Sequence, residues 1–384
     1  MRILTVLTYY RPHTSGLTIY AERLARAFAR RGHQVTVLTT QYDKSLPRDE
    51  MLDGVHVIRV PVAVRISKGV LAPTFGLVAT KLVWEHDVIQ LHLPQFDAPG
   101  VAFRARLFGK PSLLTYHCDL RLPLGPFNRF VNLVVKFQNN MAGILANAIV
   151  TYTQDYADNS SYLSRYRHKL TPILPPVELP PPAPGSVEAF GREHHVAERR
   201  PVIGMVTRFA AEKGVEVLLD ALPAVLEKYS KAQVLFAGQY QNVLGEQAYA
   251  DRLMPRIRKY EDEGYWKFLG NLSQLQLAAF YPNVDVLVVP SLNSTEAFGL
   301  VQIEAMMNDV PCVASALPGV RQPVRMHGMG KVVPIGDPSA LAEAMLGILA
   351  ERGKYRCDTA ALARLYAPDT VAQEYEKLFE KLIT

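Results

Sequence analysis

The chain is 384 residues long, roughly two to three domain lengths, with 49% hydrophobic and 20% charged residues, which excludes a single small module, a disordered chain and a coiled coil. Its three cysteines, Cys118, Cys312 and Cys357, are too few and too dispersed for a disulfide framework or a structural zinc site, and they point to a reducing compartment. The formal net charge of +6 is uneven, because residues 1–180 carry the whole positive excess while residues 181–384 are slightly acidic. That distribution suits a partner with phosphates or an anionic membrane surface. Nucleic acid is set aside, since no helix-turn-helix, zinc-finger or interleaved aromatic and basic strand pattern accompanies the charge.

Residues 2–7 read as an apolar strand, and the polar Tyr9-Tyr10-Arg11-Pro12 that follows leaves it too short for a signal core. A cytoplasmic location is therefore expected, with membrane contact only from the surface. From about Thr18 an amphipathic helix places Tyr20, Leu24, Ala27 and Phe28 on one face and Arg23, Arg26, Arg30 and Arg31 on the other, and Gly32 ends it. Further strands are predicted at Gln34–Thr39, Val55–Val60, Asp87–Leu91, Ser112–Tyr116, Ala148–Thr151 and Leu170–Leu174, with helices among them. Residues 121–138 mix Arg121, Arg129 and Lys136 with many apolar residues. They read as a core helix with a polar outer face, or as a basic amphipathic helix able to rest on an anionic membrane. The uncharged stretch Phe137–Gln154 contains three asparagines and is expected as a buried helix and strand rather than a membrane span.

Seven prolines between Pro172 and Pro184 make a stiff, extended connector. After it the alternation restarts, with strands predicted at Val202–Val206, Gln233–Ala237, Trp266–Leu269, Asp285–Val289, Pro311–Ala314 and Lys331–Val333, and a helix over about Gly214–Lys228. The reading is α/β, with two doubly wound domains, residues 1–174 and 175–369. In such sheets ligands bind beyond the carboxyl ends of the strands, so the loops that follow strands are where chemistry is sought.

Four such loops stand out. Thr207–Gly214 lies between a strand and a helix, where free backbone N–H groups and the helix dipole favour an anion, and Arg208 and Lys213 add two cations suited to a diphosphate. Pro290–Glu304 carries Glu296 in a polar loop and Glu304 early in an otherwise apolar helix, and each carboxylate can accept hydrogen bonds from a vicinal diol. Glu343 and Glu351 share the spacing of that pair but lie on what reads as an ordinary surface helix. Gly16 closes the loop after the first strand, where backbone can approach a ligand closely. His117, followed by Asp119, sits at a strand end, where it could bond a sugar hydroxyl or serve only in the core. The spaced glycines of a dinucleotide fingerprint, a Gly-x4-Gly-Lys phosphate loop and an Asp-x-Asp metal pair are all absent from the sequence. A diphosphate would then be met by side-chain cations and helix N-termini, with no metal.

Together these residues resemble glycosyltransferase family 4, the retaining nucleotide-sugar transferases of the GT-B fold, whose two Rossmann-like domains face each other across a cleft. The resemblance covers nearly the whole chain. It includes the Gly16 loop and Leu24-Ala25…Arg31-Gly32-His33-Gln34-Val35-Thr36-Val37 in the first half. In the second it includes Arg208…Glu212-Lys213-Gly214, Phe268-Leu269-Gly270, Glu296-Ala297-Phe298-Gly299-Leu300…Glu304-Ala305-Met306 and Pro311-Cys312-Val313-Ala314-Ser315. It implies that Arg208 and Lys213 bind the donor diphosphate and Glu304 the ribose. It also implies that Glu296, with the backbone of Phe298, Gly299 and Leu300, holds the donor sugar and distal phosphate. Gly270 would line the base pocket, His117 would reach the transferred sugar from the first domain, Gly16 would line the cleft, and residues 370–384 would pack back on the first domain.

The implied reaction moves a hexose from a UDP- or GDP-linked donor to a hydroxyl of a glycan or lipid-linked acceptor, in cell-envelope or polysaccharide biosynthesis, with no cofactor. Two alternatives use the same nucleotide cleft: a nucleotide-sugar epimerase, and a non-catalytic nucleotide-sugar binding protein.

Overall fold

Runs of Val, Ile and Leu buried on both faces form parallel strands, and the helices between them cover the sheets. The computed structural model describes residues 1–66, 69–120 and 126–383. By packing, the chain divides into two units, Met1–Val177 with Leu365–Thr384, and Glu178–Arg364.

In the first unit the strands are β1 (Arg2–Val6), β2 (Gln34–Gln41), β3 (Asp49–Leu52), β4 (Val55–Pro61), β5 (Val64–Ile66), β6 (Gly69–Leu71), β7 (Val88–Leu93), β8 (Ser112–Tyr116), β9 (Ala148–Thr151) and β10 (Leu170–Pro172). Eight of them form one sheet in the order β10-β9-β8-β7-β1-β2-β4-β3, parallel except for the antiparallel β3–β4 edge. The edge strand β3, paired with the predicted β4, and the small β5–β6 hairpin are additions to the predicted elements, made of short, partly polar segments with no apolar run. The strand predicted to stop at Leu91 continues to Leu93, so that His92 is part of it.

The first helix, Gly16–Arg30, starts two residues earlier than expected, because Ser15 caps it: Thr18 N–H donates to Ser15 Oγ, and Ser15 N–H donates to Thr18 Oγ1 at 2.7 Å. Tyr20, Leu24, Ala27 and Phe28 are buried as the periodicity predicts. Arg23 is a correction to that pattern. It is 3% exposed, and its guanidinium donates to the Pro176 carbonyl at 3.4 Å. A long cation can follow the edge of a core when a backbone acceptor waits at its end.

The helix Pro368–Ile383 packs along Gly16–Arg30. Tyr375 Oη meets Tyr20 Oη at 2.7 Å and Thr115 Oγ1 at 3.0 Å. Phe379 lies against Phe28 with ring centroids 5.6 Å apart, and Glu376 accepts from Arg31 at 2.6 Å and lies 2.8 Å from His33 Nε2. The helix Pro126–Leu145 is less buried than expected: Phe130, Phe137 and Ile144 are exposed. Arg121, Leu122 and Leu124 of that expected amphipathic segment lie outside the described residues. Among the described residues, no helix is long and apolar enough to cross a membrane.

The second unit holds β11 (Val202–Val206), β12 (Gln233–Ala237), β13 (Trp266–Gly270), β14 (Val286–Val289), β15 (Cys312–Ser315) and β16 (Gly330–Val333). All six are parallel, in the order β13-β12-β11-β14-β15-β16. One face packs Ile203, Val234, Val286 and Val313 against Val217, Leu218 and Leu222 of the helix Val215–Lys228. Strand order reverses between β11 and β14, and the loops leaving the carboxyl ends of these neighbours diverge to opposite faces of the sheet. That divergence opens the crevice where ligands of such sheets bind.

Phe379 is fully buried, so Phe379→Ala is expected to destabilise the first unit by about 3–5 kcal/mol. Urea unfolding followed by fluorescence of the variant checks this, and an unchanged midpoint would contradict the docking of the C-terminal helix.

Candidate functional site

The loops after β11 and β14 meet through a missing side chain. Gly214 adopts φ 69°, and a Cβ placed there would stand 2.1 Å from the Pro290 carbonyl oxygen. Leu292 N–H then donates to the Glu212 carbonyl at 2.9 Å, joining the two loops. A second close approach lies at Gly238, φ 135°, where a Cβ would stand 2.0 Å from the Thr207 carbonyl oxygen. Thr207 N–H donates to Ala237 at 2.8 Å, Phe209 N–H to Gln239 at 2.7 Å, and Gly238 N–H to Gly270 at 2.7 Å. Four strand-end loops are thus laced by backbone hydrogen bonds before any charged side chain is considered.

On this frame the charges come in pairs. Lys213 Nζ donates to Glu296 Oε2 at 2.6 Å, with both side chains largely shielded from solvent. Arg208 donates to Glu212 one turn on. Burial pushes the Glu212 carboxyl up, but Arg208, a backbone N–H and Lys213 outweigh it and hold the group below the usual carboxylate range. Glu304 is 5% exposed, near the start of the helix Leu300–Met306, and Tyr281 Oη donates to its Oε2 at 2.9 Å.

Gly299 takes φ 80° ahead of that helix. The Gln302 amide donates to the carbonyls of Phe298 and Val320, each at 2.9 Å, which fixes the backbone of Phe298, Gly299 and Leu300. Glu296 itself follows a turn in which Thr295 N–H donates to Asn293 Oδ1 at 3.0 Å. Gly270 ends β13 at φ 69° with open space beside it. Arg208, Lys213, Gly270, Glu296, Phe298, Gly299, Leu300 and Glu304 therefore all lie at one end of one sheet. The pair Glu343 and Glu351, by contrast, lies exposed on and just after the surface helix Pro338–Ala350.

The first unit has its own reversal point, between β1 and β7. Gly16 opens the first helix with nothing within 4 Å of where a Cβ would stand. His117 follows β8 and is buried. Its Nε2 lies 2.8 Å from His92 Nδ1, its Nδ1 is hydrogen-bonded to Tyr152 Oη, and the Tyr20 ring stands edge-on to it at 5.0 Å. Burial, with a smaller contribution from His92, pushes the His117 pKa well below the ordinary value, and burial takes His92 down to about 3. Both rings are neutral at physiological pH, so His117 can only donate or accept a hydrogen bond. Asp119 accepts from Tyr116 Oη at 2.7 Å and from Ser160 Oγ at 2.8 Å, a local structural role.

His92 and Tyr281 are the partners the sequence did not point out. His92 could have been found as a histidine near the end of a mostly apolar strand, one strand over from His117. Tyr281 has no such signal, since it reaches Glu304 from a different loop. Among the described residues, no group of three His, Cys, Asp or Glu side chains is placed to hold a metal ion.

Residues 187–364 match the family model of glycosyl transferases group 1, and residues 15–173 match the glycosyl transferase 4-like domain. A phosphatidyl-myo-inositol mannosyltransferase of Mycobacterium leprae (strain TN) is 27% identical over 100% of this chain and 98% of its own. A 2-deoxystreptamine N-acetyl-D-glucosaminyltransferase of Streptomyces fradiae is 28% identical over 94% of this chain and 90% of its own. The solved structure of Anabaena Alr3699/HepE in complex with UDP-glucose has a TM-score of 0.77 at 20% identity, covering 100% of both chains. WaaG, a glycosyltransferase involved in lipopolysaccharide biosynthesis, has a TM-score of 0.68 at 18% identity, covering 99% of this chain and 99% of its own.

Two outcomes follow from this geometry. Gly214→Ala is expected to part the β11 and β14 loops, lowering the melting temperature of the second unit in calorimetry, because φ 69° and the contact at 2.1 Å both resist a side chain. The second concerns pH. An unfolded histidine titrates near ~6.5, whereas His92 in the fold titrates at about 3, so the unfolded chain binds more protons between those values. Stability of the first unit is full above the unfolded pKa and is lost as pH falls toward about 3. His92→Gln should flatten that dependence in melts taken between neutral and mildly acidic pH, and an unchanged slope would contradict a neutral, buried His92.

Proposed function

This chain belongs to the family 4-like glycosyltransferases and has their GT-B fold, and on that premise we propose that it is a retaining hexosyltransferase whose donor is a UDP- or GDP-linked sugar. The observation that carries the reading is the gathering of Arg208, Lys213, Glu296 and Glu304 around the crevice between β11 and β14. In this proposal the diphosphate sits by Arg208 and Lys213, at the start of the helix Val215–Lys228, where backbone N–H groups and the helix dipole add to the two cations. Lys213 exchanges Glu296 for a phosphate oxygen, and Glu296, once released, accepts from hydroxyls of the donor sugar. The backbone of Phe298, Gly299 and Leu300 holds the sugar and distal phosphate. Glu304, positioned by Tyr281, accepts from the ribose diol, and Gly270 leaves room for the base.

Chemically, the bond between the anomeric carbon and the diphosphate oxygen breaks and a bond to the acceptor oxygen forms on the same face. The acceptor proton passes to the departing phosphate oxygen. Charge grows on the diphosphate as it leaves, and Arg208, Lys213 and the fixed amides stabilise it without reorganising, which is how a preorganised site lowers a barrier. At the strand ends of the first unit, His117 offers a sugar hydroxyl a neutral ring, with Tyr152 giving way, and Gly16 offers unobstructed backbone. No metal is required in this scheme, because the cations are side chains.

The acceptor is a hydroxyl of a glycan or of a lipid-linked molecule, which places the reaction in cell-envelope or polysaccharide synthesis. The relatives named above differ in acceptor, one bearing a lipid and one a small aminocyclitol in its name, and share a sugar-transferring activity.

Thermal-shift titration with UDP-, GDP-, ADP- and TDP-sugars tests the donor site. At a ligand concentration about 100 times the dissociation constant, binding stabilises by roughly 2.7 kcal/mol, a shift of several degrees. One UDP- or GDP-sugar is expected to give that shift in the native chain and none in Glu304→Ala or Lys213→Ala. A shift that both variants retain would place the donor elsewhere, and product of inverted anomeric configuration by NMR would overturn retention.

A further inference from the structure

At the strand ends of the first unit two histidines face each other, and only one of them has a place in the proposed reaction. Side chains alternate along a strand, and the register sets His92 of β7 opposite Thr115 of β8. His117, two residues past Thr115, returns to the same face of the sheet, diagonally ahead of His92. Its backbone N–H donates to the Leu93 carbonyl at 3.1 Å, which extends the ladder by one bond and fixes that offset. The rings then meet head to head: His92 Nδ1 lies 2.8 Å from His117 Nε2, with centroids 5.1 Å apart and planes 24° apart. A hydrogen bond of this kind lies close to both ring planes, along the lone pair of the accepting nitrogen.

Stability does not explain an imidazole at position 92. The residue is 1% exposed, and its Nε2 has no hydrogen-bond partner among the described residues. A buried polar atom without a partner is costly, and an apolar side chain of similar volume would avoid that cost. What the imidazole supplies that an apolar group would not is the bond from Nδ1 to His117.

His117 has both nitrogens engaged, Nε2 by His92 and Nδ1 by Tyr152 Oη. A neutral imidazole carries one proton, so one of these bonds is donated and the other accepted. If a ligand hydroxyl takes the place of Tyr152 at Nδ1, the bond to His92 remains and decides whether Nδ1 offers a proton or a lone pair. The Tyr20 ring stands edge-on to His117 at 5.0 Å and to His92 at 6.0 Å, and its hydroxyl is held by Tyr375 at 2.7 Å. That wall limits how far either imidazole can swing.

We propose that His92 is a positioning residue for the sugar transfer: through Nδ1 it fixes the ring orientation and proton placement of His117, and so the hydrogen bond that His117 offers a ligand hydroxyl. This deepens the proposed function and rests on it for the role of His117 at a sugar, while the linkage of the two rings is tested without turnover.

The test uses a difference between two amides. In place of a histidine, asparagine puts its amide where Nδ1 stood, and glutamine puts its amide where Nε2 stood. His92→Asn should therefore keep the bond to His117, since its amide can turn to donate or accept, whereas His92→Gln and His92→Leu should lose it. In chain labelled with 15N-histidine, the ring nitrogens of His117 are identified by their loss in His117→Ala. They are expected to shift in the Gln and Leu variants and to stay near their native positions in His92→Asn.

Turnover is followed as nucleoside diphosphate released from UDP-glucose or GDP-mannose, using the one that stabilises the native chain in thermal-shift titration. His92→Gln and His92→Leu should lower kcat about tenfold or more while KM for the nucleotide sugar stays within about twofold, and His92→Asn should restore most of the rate. In a His117→Ala background the same substitutions should cost nothing further. His92→Leu is expected to fold, because it buries an apolar group in place of a polar one, and melting curves of each variant check this.

Unmoved His117 resonances in the Gln and Leu variants would overturn the proposal. So would equal rates in His92→Asn and His92→Gln, or an added loss in the His117→Ala background. If neither nucleotide sugar stabilises the native chain, the donor reading fails and the resonances alone decide for His92. A donor shift with unmoved resonances sinks the role of His92 alone.

Discussion

The candidate site depends on a contact that only glycine allows. Two neighbouring strands of the second unit send their following loops toward opposite faces of the sheet, and that divergence opens a crevice. What closes the two loops on each other beyond it is the space left at Gly214, where the Pro290 carbonyl occupies the place of a side chain. From that approach follow the hydrogen bond between Leu292 and Glu212 and the ion pair between Lys213 and Glu296. Glu296, 83 residues further along the chain, owes its neighbourhood to Lys213 to a residue whose contribution is to have no Cβ.

Electrostatics adds a second constraint. Cations drawn in among the strand-end loops would be costly to leave half-buried and uncompensated, since desolvation of an unpaired charge is large. Here each cation has a carboxylate beside it, Glu212 for Arg208 and Glu296 for Lys213. The two charges are therefore compensated within the unit, and an anion entering these loops would compete with internal carboxylates rather than meet a bare cationic hole. Glu304 is handled differently. It is nearly buried and accepts a hydrogen bond from a neutral tyrosine rather than from a cation placed by the same loop.

Much of this was legible in the chain itself, and the reasons can be traced to particular residues. The parallel strands announce themselves because both faces are buried, which leaves continuous apolar runs such as Val202–Val206 and Val286–Val289. The site loops could be placed because chemistry in such sheets collects after strand ends. Three kinds of feature escaped. The edge strand β3 has no apolar run, since an edge strand meets solvent. The partnerships of His117 with His92 and of Glu304 with Tyr281 join residues 25 and 23 apart, and local pattern carries no register across strands. Arg23 reads as a surface cation on a helical wheel, and only the path of the connector, which brings the Pro176 carbonyl to its tip, makes it a buried one.

The last helix has a consequence for how the chain comes into being. Pro368–Ile383 supplies Tyr375, Glu376 and Phe379 to a unit whose other parts end at Val177. During synthesis the ribosome must therefore deliver the entire second unit before Phe28 can find its aromatic neighbours and Arg31 its carboxylate. Until then the first unit waits with one helix face uncovered, and the second, continuous in sequence, is free to finish first. A chain that stops short of its final turns loses the seal on its beginning rather than on its end. Quality control that reads exposed apolar surface would thus detect a premature stop through the N-terminal unit.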